Sequence, residues 1–194
     1  MRRATLVVAF SLWGGGALVH AEPSREAVES LLKGYERVFT EADMRALGPG
    51  TDLVLARIAD DGKAHEILRV RAVSALAYAK TAAARGTLES ILRRKADAPA
   101  GVDRLLLRKA AVALGWQNGP GVVARLRPLL SHDDEDVRID AAIGLGLTRS
   151  PAAAVELRAR FTDEPAVSVR HQLTKQIKAI DDDAAAEPRQ TARP

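Results

Sequence analysis

One ten-residue phrase, present three times, constrains the fold more than any other feature of the chain. The copies span residues 68–77, 106–115 and 137–146, and each has an alanine at its fifth position and a leucine at its ninth. Self-similarity at a period of this size is typical of repeat proteins that stack one supersecondary unit on the next. We therefore predict an all-α fold, an α-solenoid of about four antiparallel helix pairs closed by a C-terminal capping helix.

The spacing after each copy supports this interpretation. Leu76, Leu114 and Leu145 are each followed twelve residues later by another leucine. This constant distance fits a partner helix that follows each copy and packs on it in the same register. The first two copies are separated by 38 residues and the last two by 31. The additional residues fit a linker over residues 96–101, where an insertion between helices is tolerated.

Composition agrees with closely packed helices. The chain has 194 residues, of which 47% are hydrophobic but only 4% aromatic, and it contains no cysteine. An apolar fraction made mainly of alanine, leucine and valine favours helices over sheets. The formal net charge of +4 is too small to indicate nucleic-acid binding, and we expect none.

The N-terminus has the pattern of an export signal. Arg2 and Arg3 precede an uncharged, mostly apolar run over residues 4–18, and Ala21 ends a short stretch suited to cleavage. We expect residues 1–21 to be a signal peptide, residues 22–180 the solenoid and residues 181–194 a disordered tail. The mature protein would then be periplasmic or secreted without membrane insertion, and the alternative is that the segment is kept as an anchor.

The repeated phrase contains residues with distinct structural roles. Small side chains let neighbouring helices approach closely, and leucines fill the space between layers. Aspartates three residues before each of the last two copies are placed to cap a helix. An arginine near the start of a copy can reach an aspartate of the next repeat, although Leu107 replaces it in the second copy. The residues of this motif are Asp103, Ala110, Ala111, Leu114, Asp134, Val137, Arg138, Ala141, Ala142 and Leu145.

The pattern Asp-x-x-Val-Arg-x-x-Ala-Ala-x-Gly-Leu-Gly over residues 134–146 resembles a HEAT repeat of the short bacterial type, also found in phycobilisome-lyase-like proteins. The resemblance is strongest over residues 67–161. It implies a curved, armadillo-like stack of antiparallel helix pairs. It implies little about function, because such repeats serve scaffolds, adaptors, lyases and some enzymes.

By the same resemblance, second helices line the concave side of the solenoid. Here these helices carry eight basic residues against only Glu89 and Glu156. A basic strip of this kind favours an acidic segment of a protein partner. The alternative is a solvated face whose arginines pair locally. The residues we expect to contact a partner are Arg94, Arg125, Arg127, Arg158 and Arg160.

The sequence contains no motif that indicates catalysis or cofactor binding. His65, His132 and His171 lie in different repeats without ligand spacing, and we expect no metal, cofactor or catalytic residue. Trp116 ends a first helix, where it is either an exposed contact residue or packed on the next layer. The sequence favours an exported, non-catalytic protein-interaction module, a scaffold or adaptor. A structural subunit of a cell-envelope complex and an enzyme or lyase subunit are the alternatives.

Overall fold

The computed structural model describes residues 22–34 and 38–190, and the regular structure in these residues is entirely helical. The expected signal peptide lies outside the described residues. Short 3-10 segments, Leu76–Tyr78 and Arg127–Ser131, continue α4 and α7. The α-helices of the described residues are α1 (Arg25–Lys33), α2 (Glu41–Leu47), α3 (Thr51–Asp60), α4 (Glu66–Ala75), α5 (Ala82–Lys95), α6 (Val102–Gln117), α7 (Val122–Leu126), α8 (Glu135–Leu147), α9 (Pro151–Asp163) and α10 (Val167–Gln190).

The helices pack as successive pairs. The first helices of the pairs, α1, α4, α6 and α8, form one row, and α10 closes that row by packing on α8 and α9. The second helices, α3, α5, α7 and α9, form the other row, while α2 lies in the connection between α1 and α3. Each pair constitutes one layer. The all-α solenoid of four helix pairs with a C-terminal cap is therefore confirmed.

Small residues set the distance between α6 and α8, as the repeated phrase predicts. A Cβ atom added to Gly144 would lie 2.5 Å from the carbonyl oxygen of Ala111, and one added to Gly115 would overlap the backbone of Gly144. The helix backbones thus meet where no side chain fits. Around this contact the alanines, leucines and valine of the motif are fully buried, namely Ala110, Ala111, Leu114, Val137, Ala141, Ala142 and Leu145.

The second helix of the third pair is interrupted. It is α-helical only over α7 and then continues as a 3-10 segment. Pro128 explains the change, because proline lacks the N–H that would bond to the carbonyl of Ala124 and its ring clashes with that carbonyl. Leu126, Leu129 and Leu130 remain buried, so the inner face of the layer is preserved.

The last helix caps the stack and is longer than expected. Val169, Leu173 and Ile180 are buried against the preceding layer, while His171, Lys175 and Lys178 are exposed. Residues 181–194 were expected to be a disordered tail, but α10 continues to Gln190, and residues 191–194 lie outside the described residues. An ion pair four residues apart, Lys178 with Asp182 at 2.7 Å, and three consecutive alanines favour this continuation. Within the described residues, no helix combines the length and the apolar character needed to cross a lipid bilayer.

Candidate partner-binding surface

The arginines predicted to contact a partner lie on the row of second helices, which we call the second-helix face. Two of them pair with an acid of the preceding layer. The Nη2 atom of Arg94 on α5 lies 2.7 Å from the carboxylate of Asp60 on α3. The Nε atom of Arg125 on α7 lies 2.9 Å from the carboxylate of Glu89 on α5. These contacts orient both guanidinium groups along the stack.

Two further arginines pair with an acid of the following layer. Arg127 lies 3.7 Å from Glu156 on α9, and Arg158 donates to both carboxylate oxygens of Asp181 on α10, at 2.6 and 2.7 Å. The four arginine side chains nevertheless stay 42–62% exposed. The second-helix face therefore carries four exposed arginines, each paired with one carboxylate. The local pairing that was the alternative interpretation is thus also present.

Arg160 is less exposed than these four arginines. Its side chain is only 19% exposed, and its guanidinium donates from Nε and Nη2 to the buried carboxylate of Glu164, at 3.0 and 2.7 Å. Two donors of Arg160 are thus directed at Glu164, and its contact with a partner stays a prediction.

Glu164 and Arg138 form the core of a buried polar cluster. Arg138 donates from Nε and Nη2 to the two carboxylate oxygens of Glu164, at 2.9 and 3.0 Å. The Ala166 N–H donates to the same carboxylate at 3.0 Å. Burial alone would raise the pKa of Glu164, but the hydrogen bonds from Arg138, Ala166 and Arg160 outweigh it and lower the pKa to about 2. Glu164 is therefore ionised throughout the physiological range.

Arg138 is one member of a series that links successive first helices. Arg69 on α4 lies 3.8 Å from Asp103 on α6, and Arg104 on α6 lies 2.7 Å from Asp134 at the start of α8. The expected series of arginine–aspartate pairs is present in part, because Arg69 meets Asp103 whereas Arg138 meets a glutamate, Glu164. In the second pair the arginine is Arg104, which lies one turn before Leu107. Arg104 thus replaces the arginine that the second copy of the phrase lacks.

The two aspartates expected to cap helices behave differently. Asp134 is the N-cap of α8 and accepts a hydrogen bond from the Val137 N–H at 3.1 Å. Asp103 does not cap α6, because that helix already begins after Gly101 and Asp103 lies within its first turn. Its carboxylate instead accepts a hydrogen bond from Lys95 at 2.6 Å. The capping prediction is correct for Asp134 and wrong for Asp103.

The histidines take part in local backbone contacts. The Nδ1 atom of His65 accepts a hydrogen bond from the Ile67 N–H at 3.3 Å, and that of His132 accepts one from the Asp134 N–H at 2.9 Å. Across residues 22–34 and 38–190, no three or more histidine, aspartate or glutamate side chains are grouped so as to hold a metal ion.

Comparison with known proteins gives a match to one family. Residues 100–178 match the family model described as HEAT repeats, which covers α6 to α9 and the first half of α10. No curated protein matches the chain. HEAT repeats generally mediate protein–protein interaction. The match, together with the stacked helix pairs over the same residues, supports HEAT repeats in this part of the chain.

Proposed function

We propose that this chain is an exported, non-catalytic scaffold or adaptor whose second-helix face receives an acidic segment of a protein partner. The observation that carries the proposal is the set of four exposed arginines on the second helices of three successive layers. The match to HEAT repeats supports a protein as the partner.

The ion pairs on this face are compatible with binding. A guanidinium has five N–H donors, so a single carboxylate leaves several of them available. Exposed ion pairs contribute only about 0–1 kcal/mol, so an incoming carboxylate can replace the resident one at small cost. The resident acids also hold the arginines in fixed orientations, which lowers the entropy lost when a partner orders them.

A charge-reversal experiment tests the proposed face. Replacing Arg127 and Arg158 by glutamate should abolish capture of the partner from a native envelope extract at low salt. The matched control exchanges one pair, Arg127→Glu with Glu156→Arg, which keeps the net charge and the local ion pair. This control should retain most of the capture. Equal capture by the wild type and by the Arg127→Glu, Arg158→Glu variant refutes the proposal for this face.

Export is the second part of the proposal and rests on residues 1–21 alone. Cell fractionation followed by N-terminal sequencing tests it. We expect the protein outside the cytoplasm with Glu22 as its first residue. A cytoplasmic protein that begins at Met1 contradicts export.

A structural subunit of an envelope complex is the other candidate function. Val38 and Leu53, near the N-terminal end of the stack, are exposed apolar residues that favour a contact there. The Val38→Asp, Leu53→Asp variant separates the two candidates. If it loses the partner while the Arg127→Glu, Arg158→Glu variant keeps it, the protein acts through its N-terminal layer.

A further inference from the structure

A row of large side chains crosses three layers at the edge where the first helices end. Tyr78, Trp116 and Leu147 each stand two residues after the repeated leucine of their copy, so they occupy equivalent positions in successive layers. The rings of Tyr78 and Trp116 meet edge to face, with centroids 6.0 Å apart and planes at 69°. Trp116 nevertheless remains 51% exposed. Both interpretations of Trp116 thus hold in part, because it packs on a neighbouring layer and also meets solvent.

A second row of polar side chains runs beside the first. Lys80, Asn118 and Arg149 each stand four residues after the repeated leucine. Lys80 is exposed, and its ammonium group has no ionic partner among the described residues. Arg149 lies 3.0 Å from Asp183 on α10, and both side chains are about half exposed. The second row thus places two cations at its ends with an amide between them.

The backbone is strained at two of the three positions of this second row. Asn118 and Arg149 have φ angles of 41° and 53°, which lie in the left-handed region. Glycine is the usual residue at this position after a helix, and asparagine tolerates it, whereas a long side chain such as arginine is costly there. Strained backbone of this kind is concentrated at sites that bind ligands. The strain at Arg149 supports a role for its guanidinium at this edge.

The two rows enclose a shallow cavity of about 330 Å³. Tyr78, Trp116 and Leu147 supply its apolar lining, and the charged residues Lys80, Arg149 and Glu41 stand at its margin. Glu41 repels a carboxylate at its own position, so an acidic ligand must place its negative groups at Lys80 and Arg149. We call the two rows together the end ridge, which comprises Tyr78, Lys80, Trp116, Asn118, Leu147 and Arg149.

We propose that the end ridge binds an extended segment of a partner protein, with an apolar or aromatic side chain against Trp116 and a carboxylate at each end. Neighbouring helices lie about 8–10 Å apart, so Lys80 and Arg149, two layers apart, are separated by about 16–20 Å. An extended chain advances about 3.3 Å per residue, so the two carboxylates are about five or six residues apart. One carboxylate binds Lys80, and the other replaces Asp183 at Arg149. This site is separate from the second-helix face, so each can fail without the other.

A synthetic peptide tests this inference directly. The probe is fluorescein-labelled Glu-Ser-Leu-Tyr-Leu-Ser-Glu, and its binding to the full chain is followed by fluorescence anisotropy. We expect saturable binding that weakens as salt is raised, because both ends rely on charge. The matched peptide with lysine in place of both glutamates should not bind. Absence of saturable binding of the acidic peptide, or equal binding of the basic one, overturns the inference.

Variants of the protein locate the site. Trp116→Ala and, separately, Lys80→Glu with Arg149→Glu should each weaken binding of the acidic peptide about tenfold or more, as expected for central contact residues. The Lys63→Glu, Lys175→Glu variant changes the net charge by the same amount at two exposed lysines outside both surfaces, and it should bind within about twofold of the wild type. Thermal melting shows whether Trp116→Ala is folded. The Lys80→Glu, Arg149→Glu variant tests the same binding site without removing a packed ring. Unchanged binding by the folded ridge variants overturns the inference, as does Trp116-dependent binding of a single-stranded oligonucleotide.

Discussion

Arg138 holds Glu164 across the boundary between two layers with two parallel hydrogen bonds, at 2.9 and 3.0 Å. The side chain of Arg138 is 8% exposed and that of Glu164 is fully buried. Each charge is therefore stabilised by the other and not by water. The ion pairs of the second-helix face differ in this respect, because their arginines are largely exposed.

Removing one member of the buried pair should destabilise the protein strongly. Arg138→Ala leaves the carboxylate of Glu164 buried with fewer donors, and breaking such a pair costs about 3–5 kcal/mol. Arg158→Ala breaks an exposed pair and is the matched control, with an expected loss of about 0–1 kcal/mol. Urea denaturation measures both. Equal losses for the two variants contradict the structural role assigned to Arg138.

The same pair predicts a dependence of stability on pH. The pKa of Glu164 is lowered from 4.5 to about 2 in the folded protein, so ionised Glu164 favours the folded state. This contribution is complete above the unfolded value and is lost as pH falls from about 4.5 towards about 2. The stability advantage of the wild type over Glu164→Gln should therefore be largest near neutral pH and shrink over that interval. An advantage that stays constant down to pH 2 contradicts the prediction.

The surroundings of Gly144 and Gly86 predict opposite effects when each glycine is replaced by alanine. Gly144→Ala places a methyl group against the backbone of α6 and should cost about 1–3 kcal/mol. Gly86→Ala adds the same methyl group on the exposed side of α5, where nothing lies within 4 Å. It should stabilise the protein by about 0.5–1 kcal/mol through helix propensity. Thermal unfolding of the two variants checks the signs, and a neutral Gly144→Ala contradicts the packing described.

The repeated phrase made the first-helix row predictable. An alanine and a leucine at fixed positions of each copy mark the face that packs between layers, because a helical period places them on one side. Ala110, Ala141, Leu114 and Leu145 are accordingly buried. The capping role of Asp134 was predictable for the same reason, since its distance from the buried Val137 is fixed by the helix geometry.

The partners of the arginines on the second-helix face were less predictable, because the sequence does not fix which acid each arginine meets. Asp60 and Asp181 hold Arg94 and Arg158, yet they lie 34 and 23 residues from their partners. Arg160 is similar in sequence to its exposed neighbours, but its side chain turns towards the buried Glu164. Its distance of four residues from Glu164 was the available signal.

Site-specific photo-crosslinking determines whether the second-helix face receives the partner. A photoreactive residue at Ala159, exposed on α9 beside Arg127 and Glu156, leaves the arginines intact. The matched position is Leu105, exposed on the first helix α6. We expect a partner adduct from position 159 and none from position 105 after irradiation in native cells. An adduct from position 105 alone, or equal adducts from both positions, contradicts it.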